Sequence, residues 1–244
     1  MRSERLVYLI TGSTSPLGQA VAQKLASTGA SVALVYHEAK EKALALASKL
    51  ASARTEVKTF RANLALPGAA SKLVAEVTQT FARLDGLVNN ASLFLEAPHG
   101  NVTTEAWETL FALNVAAPFF LIQSAAPWLR KTHGAVVNIS DLYADRPLLS
   151  NHIPYLASKG ALNTITKAYA RALAPEIRIN AVSPGAITFP EHYSEDQREK
   201  IQAHIPLGRT GQPEDIAEAV VFLLQKGLYL TGVILGVDGG RSLT

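Results

Sequence analysis

Short apolar runs alternate with longer amphipathic stretches along all 244 residues. The runs RLVYLI (5–10), SVALVY (31–36), VKTF (57–60), GLVN (86–89), AVVNIS (135–140), IRINAV (177–182) and VILGV (233–237) read as strands. Most are nearly continuous in Val, Ile, Leu and Ala, which suits strands buried on both faces of a parallel sheet. Stretches near 17–28, 39–52, 68–83, 103–130, 156–173 and 213–225 repeat their apolar residues at helical spacing. This alternation predicts one α/β domain over 1–244, a doubly wound seven-stranded parallel sheet with helices on both faces. One segment, AITFPEHYSEDQREKIQAHIPLGRT (186–210), lacks clear periodicity. It follows the sixth strand, at the carboxyl edge of the sheet where ligands bind. It reads as a mobile substrate lid, with Tyr193 as a candidate substrate contact; the alternative is an ordinary solvated insertion.

Composition narrows the function classes. Hydrophobic residues make up 48% and charged residues 18%, a globular balance rather than a disordered one. The net charge of +3 comes without a basic run, so no nucleic-acid surface is expected. The absence of cysteine excludes disulfides, thiolate metal sites and cysteine nucleophiles. His37, His99, His133, His152, His192 and His204 show no zinc-site spacing, so no metal is expected. The opening MRSERLVYLITG has no signal-peptide pattern, and no uninterrupted apolar run reaches about 18 residues. A cytoplasmic protein with no membrane partner is the default expectation.

ITGSTSPLGQAVAQKLASTGA (10–30) follows the first strand and opens a helix. Gly12 permits a tight turn, Gly18 lets the helix approach the sheet, and free N–H groups at the helix start can hold a pyrophosphate. Ser13 and Leu17 belong to the same candidate cofactor turn. Pro16 suits the first helical turn but removes a donor. At the end of the second strand, where an acid would read an NAD ribose, stands Tyr36. A carboxylate there would repel a 2′-phosphate; its absence, with His37 and Lys40 nearby, favours NADPH over NADH. Glu38 argues the other way unless it points to solvent, and His37 and Lys40 are alternatively plain surface residues. Asn63, with Leu64 beside it, is a candidate for the adenine edge or merely a turn-forming Asn. LVNNAS (87–92) ends the fourth strand, and Asn90, Ala91 and Ser92 leave room for a cofactor against the backbone.

Tyr155 and Lys159 begin a helix at spacing i, i+4 and share a face. An ammonium beside a phenol favours phenolate, so Lys159 is expected to make Tyr155 a better acid. The alternative is a helix-surface pair.

These motifs, with Asn114 in LNVAAPFFL, NISD, IRINAVSPGAI and LTGVILGVDGG, occur in the order and spacing of the short-chain dehydrogenase/reductase family. The resemblance covers essentially the whole chain and implies a Rossmann-type fold. It also implies a tetrad of Asn114, the strand-end residue, Tyr155 and Lys159, with Asn114 holding a water linked to Lys159. Pro184, Gly185 and Ile187 would border the nicotinamide, and Lys159 would hold its ribose. Apolar helices such as APFFLIQSAAPWL (117–129) would pack across two-fold axes in a homotetramer, though periodicity alone allows burial within one chain.

The family usually has serine at the strand end. This chain has Asp141 there, with Ser140 before it facing the opposite side of the strand. A buried carboxyl beside Tyr155 should have a raised pKa and can relay a proton to a ring nitrogen. Asp141, NNASLF (89–94), RPLL (146–149) and LAPEIRIN (173–180) resemble the pteridine reductases and dihydrofolate/dihydromonapterin reductases. That branch implies Ser92 as a pterin and cofactor contact and Phe94 stacking on the pterin; otherwise Phe94 is a core or interface residue. The chain departs from it at Pro16 and Glu38, where arginine is common, and by one extra residue between Asp141 and Tyr155. The expectation is therefore an NADPH-dependent pterin or dihydrofolate reductase. The alternatives are a short-chain carbonyl reductase of ketoacyl thioesters, sugars or small ketones, and a non-catalytic NADP-binding sensor.

Overall fold

The computed structural model describes residues 5–146, 149–189 and 193–244. Pro147 and Leu148 of RPLL, Pro190, Glu191 and His192 of the expected lid, and residues 1–4 lie outside these. The strands are β1 (Val7–Ile10), β2 (Ser31–Tyr36), β3 (Val57–Arg61), β4 (Gly86–Asn89), β5 (Ala135–Ile139), β6 (Arg178–Pro184) and β7 (Ile234–Val237). The helices are α1 (Pro16–Ser27), α2 (Lys40–Leu50), α3 (Ala69–Phe81), α4 (Thr104–Phe111), α5 (Ala117–Thr132), α6 (Ile153–Leu173), α7 (Glu195–Gln202) and α8 (Pro213–Gln225). The strands form one sheet in the order β3-β2-β1-β4-β5-β6-β7. Every pairing is parallel.

Side-chain alternation explains the unbroken apolar runs. Tyr8 and Ile10 of β1 pack with α1 and α8 residues such as Val21, Leu25 and Val220. Val7 and Leu9, pointing the other way, pack with Leu73 and Val77 of α3 and Leu121, Ile122 and Leu129 of α5. With helices on both faces no strand position can be polar cheaply; each fully buried Leu or Ile contributes roughly 2 kcal/mol. The order reverses direction at β1, so a crevice opens between β1 and β4 at their carboxyl ends.

Two elements differ from expectation. The helix expected near 103–130 is α4 and α5 joined by one π-helical turn at Ala112–Ala116. The continuous helical run Thr104–Thr132 is long and apolar enough to cross a membrane by length and composition. Here its Leu121, Ile122, Ala125 and Leu129 face is buried against the sheet. The region read as a mobile lid contains α7, opened by a capping box in which Ser194 and Gln197 bond reciprocally. No α7 residue is buried, so the helix left no apolar stripe to read.

Candidate active site

A cleft of about 340 Å³ lies over the carboxyl ends of β1, β2 and β4. Gly12, Tyr36, His37, Asn63, Leu64, Asn90, Ala91 and Ser92 line it as expected. Thr14, Ser15 and Leu113 line it too and were not singled out in the sequence. Gly12 adopts φ 61°, open to glycine at little cost. A Cβ on Gly18 would collide with the Gly12 carbonyl oxygen and the Ser13 Cα. Asn90 ties the turn to the sheet, its Nδ2 donating to the Thr11 and Gly12 carbonyls at 3.0 and 2.9 Å.

Other expected contacts of the turn do not face the cleft. Ser13 is fully buried and donates from Oγ to Val35 O at 2.9 Å, so it is structural. Leu17, in the first turn of α1, packs against the core. Pro16 sits at the first helical position, and Ser15 Oγ accepts from Gly18 N–H at 3.1 Å. The helix start therefore offers fewer free donors than expected, because Pro16 has none and that of Gly18 is engaged.

Asn63 Oδ1 accepts from Ala65 N–H at 3.2 Å, so it shapes its turn while lining the cleft. His37 Nδ1 lies 4.0 Å from Glu38 Oε1, and the Glu38 side chain is largely in solvent. Arg61, at the end of β3, was not singled out. Its backbone pairs in register with Tyr36, and its Nε donates to His37 O at 3.2 Å. A cation is thus held where the second strand ends. Pro184 closes β6. Gly185 N–H donates to Val237 O at 3.0 Å, and a Cβ there would strike Asp238. Ile187 lines a separate hollow of about 210 Å³ with Arg209 and Asp238. Tyr193 stacks on Phe189 at 6.2 Å beside α7, lining an open hollow with Arg198 rather than the nucleotide cleft.

The catalytic candidates converge where β5 meets α6. Tyr155 O–H donates to Asp141 Oδ2 at 2.7 Å. Asp141 Oδ1 accepts from Tyr143 N–H at 2.8 Å, which caps a 3₁₀ turn at Leu142–Ala144. Lys159 is buried, and its Nζ donates to Ile139 O at 2.9 Å. Tyr155 packs in a small apolar cluster with Leu110 and Leu156. Ser140 faces away and donates to Asn163 Oδ1 at 2.6 Å.

Burial dominates the protonation of all three groups. It raises the Asp141 carboxyl, against the opposing pull of bonds from Tyr155 and Tyr143. It lowers the Lys159 ammonium to about 8, against attraction from Asp141. It pushes the Tyr155 phenol well above its usual value, and Asp141 pushes it further. The expectation that Lys159 makes Tyr155 more acidic is therefore reversed. The lysine is 5.7 Å from the ring centroid and bonded to a backbone carbonyl, whereas the carboxyl touches the phenol.

The side chain of Asn114 is held by neighbouring protein groups. It lies in the π turn, its Nδ2 donating to Leu93 O and Ser158 Oγ at 3.0 Å each. Its Oδ1 accepts from Leu93 N–H at 2.8 Å. These bonds brace residue 93 and α6 together, and among the described residues none joins the side chain to Lys159. Phe94 is 46% exposed and meets Tyr155 edge-on at 4.8 Å. Its ring stacks on His152 at 4.4 Å, a wall residue that the sequence did not disclose.

Residues 12–242 match the family model described as enoyl-(acyl carrier protein) reductase. A ketoacyl reductase named for the granaticin polyketide synthase of Streptomyces violaceoruber is 38% identical, over 98% of this chain and 97% of its own. The 3-oxoacyl-acyl-carrier-protein reductase FabG of Thermotoga maritima is 34% identical, over 98% and 99%. A crystal structure of a blue fluorescent protein from a metagenomic library in complex with NADPH has TM-score 0.91 at 34% identity, with 97% of each chain covered. A double mutant of a Serratia marcescens short-chain dehydrogenase/reductase has TM-score 0.91 at 30% identity, over 97% and 98%. The chain belongs to the short-chain dehydrogenase/reductase family of oxidoreductases.

Proposed function

We propose that the protein is an NADPH-dependent carbonyl reductase acting on a 3-ketoacyl thioester or a related small ketone. The observation that carries this reading is the part-buried bond between Tyr155 O–H and Asp141, which equips the site to deliver one proton to one oxygen. The ketoacyl names of the chain-length relatives support the substrate class and turn the reading away from the pterin expected from Asp141.

The cleft fits NADPH. No carboxylate ends β2, and the Arg61 guanidinium rests on the His37 carbonyl, an arrangement suited to a 2′-phosphate. Asn63 and Leu64 would face the adenine, Thr14 and Ser15 the pyrophosphate, and Asn90, Ala91 and Ser92 the nicotinamide half. Lys159 uses one donor on Ile139 O, which leaves two for the ribose. When bound, the cofactor supplies the hydride that reduces the carbonyl carbon. Tyr155 gives its proton to the carbonyl oxygen. A phenolate left in that apolar pocket would be costly; once the phenol has turned from Asp141 to the substrate, an Asp141 carboxyl that carries a proton can pass it to Tyr155 across the same short distance. The charge then rests on Asp141, which Lys159 attracts and Tyr143 N–H bonds. Solvent restores the carboxyl proton between turnovers.

A second reading, reduction of a pterin or dihydrofolate C=N bond, is favoured by one arrangement: Phe94 offers a half-exposed ring beside the Tyr155–Asp141 pair. NADPH consumption is measured with acetoacetyl thioester, a small-ketone panel, dihydrobiopterin and dihydrofolate, using wild type and Asp141→Ser. The expected result is ketone turnover in wild type that falls but stays measurable in the serine variant, whose hydroxyl can both accept from and donate to Tyr155 but lacks the carboxyl's acidity. Pterin turnover in wild type that disappears with serine establishes the second reading instead. Cofactor binding without oxidation of any substrate defeats both and leaves a sensor.

The assembly proposed with this activity is a homotetramer. Phe120 is 51% exposed on α5, and Leu228 and Tyr229 beyond α8 are 72% and 103% exposed. Two such apolar faces on one chain suit two-fold packing.

A further inference from the structure

Tyr155, Lys159 and Asn163 are spaced four apart and form one stripe on α6. The stripe grips the segment that carries Asp141. Lys159 holds Ile139 O, Tyr155 bonds the Asp141 carboxyl, and Asn163 takes the residues on either side of it. Asn163 Oδ1 accepts from Ser140 Oγ at 2.6 Å, and its Nδ2 reaches both carboxylate oxygens of Asp145 at 3.4 Å. Ser140 and Asn163 are each 3% exposed.

We infer that Asn163 is a positioning residue for the reaction: by clamping Ser140 and Asp145 to α6, it fixes Asp141 against Tyr155 and keeps the carboxyl out of water. Register with β6 ends at Ile139 and the last bond to it runs from Ser140 N–H to Val182 O at 2.8 Å, so Asp141 itself leaves the strand without a ladder bond. A one-turn 3₁₀ segment is a weak restraint on its own. With the clamp in place, both ends of this turn are fixed to the helix that carries the acid, and the bond at 2.7 Å is preorganised. Without it the turn can lift, water reaches the carboxyl, and the desolvation that raises its pKa is relieved.

The inference rests on the relay proposed for Asp141 and is tested by a readout that needs no substrate. The carboxyl infrared band of Asp141, assigned by its loss in Asp141→Asn, is followed against pH in the full-length protein. The groups facing it are Tyr155, Lys159 and His152, with Asp145 across Asn163. Asn163→Leu keeps the branched shape of the side chain and removes the clamp. Asn163→Leu/Ser140→Ala also removes the unpaired hydroxyl and should regain stability. Asp145→Ala releases only the exposed end.

The expected result in both Asn163 variants is a carboxyl midpoint shifted to lower pH, with a smaller shift of the same sign in Asp145→Ala. Turnover of the acetoacetyl thioester should fall about tenfold, the effect of about 1.4 kcal/mol of misplacement. NADPH affinity should stay within about twofold, since Asn163 lies outside the cleft. An unchanged midpoint in Asn163→Leu overturns the inference. So does recovery of both midpoint and turnover in the double variant, which would make the clamp merely structural. A shifted midpoint in a protein that turns over no substrate upholds the clamp and sinks the proposed function alone.

Discussion

Asp141→Asn separates two consequences of one carboxyl. Amide cannot relay the proton, so turnover of the ketone should fall at least 10²-fold. Stability should move the other way. A folded-state pKa raised above the unfolded value means the folded state binds more protons, so Asp141 destabilises progressively as pH rises through that window. Above that window the amide should therefore stabilise, seen as a rise in Tm by calorimetry at constant cofactor concentration. Lys159 sets an alkaline limb of the rate profile. Its ammonium is present below about pH 8 and lost above it, so kcat should decline as pH rises through that value. Guanidinium stays charged, so a Lys159→Arg variant that retains any turnover should lose this decline in a pH–rate profile. At the cofactor end, Arg61→Gln should cut the preference for NADPH over NADH about tenfold, the loss of one charge-assisted bond, measured by fluorescence titration of both nucleotides. Equal affinity of wild type for the two nucleotides would remove the basis for assigning Arg61 to the phosphate.

These residues were not equally legible in the chain. Tyr155, Lys159 and Asp141 stood out because chemistry-bearing side chains occupied recognisable spacings, and the structure brings them together. Arg61 and His152 did not, because their roles depend on neighbours distant in sequence: the His37 carbonyl for one, the Phe94 ring for the other. The protonation of Tyr155 was misjudged for a related reason. Spacing showed that a lysine was near, but not that burial outweighed it.

At the scale of elements, strands and helices were placed to within a few residues because burial on both faces imposed strong periodicity. The π turn was invisible, since Ala112–Ala116 continues the apolar pattern of its neighbours. Helix α7 was missed because nothing in it is buried, although Ser194 and Gln197 spelled a capping box in the sequence. The glycine turn makes its own prediction. In Gly18→Ala the new methyl meets the Gly12 carbonyl, forcing α1 away from the sheet edge. Overpacking of this kind costs about 1–3 kcal/mol and should also weaken NADPH binding, which thermal melts with and without nucleotide will separate. A melt and an affinity both unchanged would show that the turn has room to spare.

For the whole molecule, association was only half legible. Apolar residues on a helix do not say whether a sheet or a second copy covers them, and the structure answers for one copy alone. Leu121 and Ile122 are buried within the chain, while Phe120, immediately before them in the sequence, is half exposed. The tetramer predicts that sedimentation will find four copies in wild type and fewer in Phe120→Asp or Tyr229→Asp, with each monomer still folded. A wild type that sediments as one chain would refute it.

The site is divided between rigid and adjustable parts. Asp141 is anchored beside a central strand, and Tyr155 and Lys159 on a helix of 21 residues. The aromatic wall of Phe94 and His152 sits on the connections between such elements. Two short 3₁₀ turns, Leu142–Ala144 and Ser150–His152, lie on the connection between Asp141 and Tyr155. Chemistry and appetite are therefore separately heritable in this chain. Phe94→Leu, which touches Tyr155 only through an apolar ring, should change which molecules are accepted while leaving the shape of the pH–rate curve as it was.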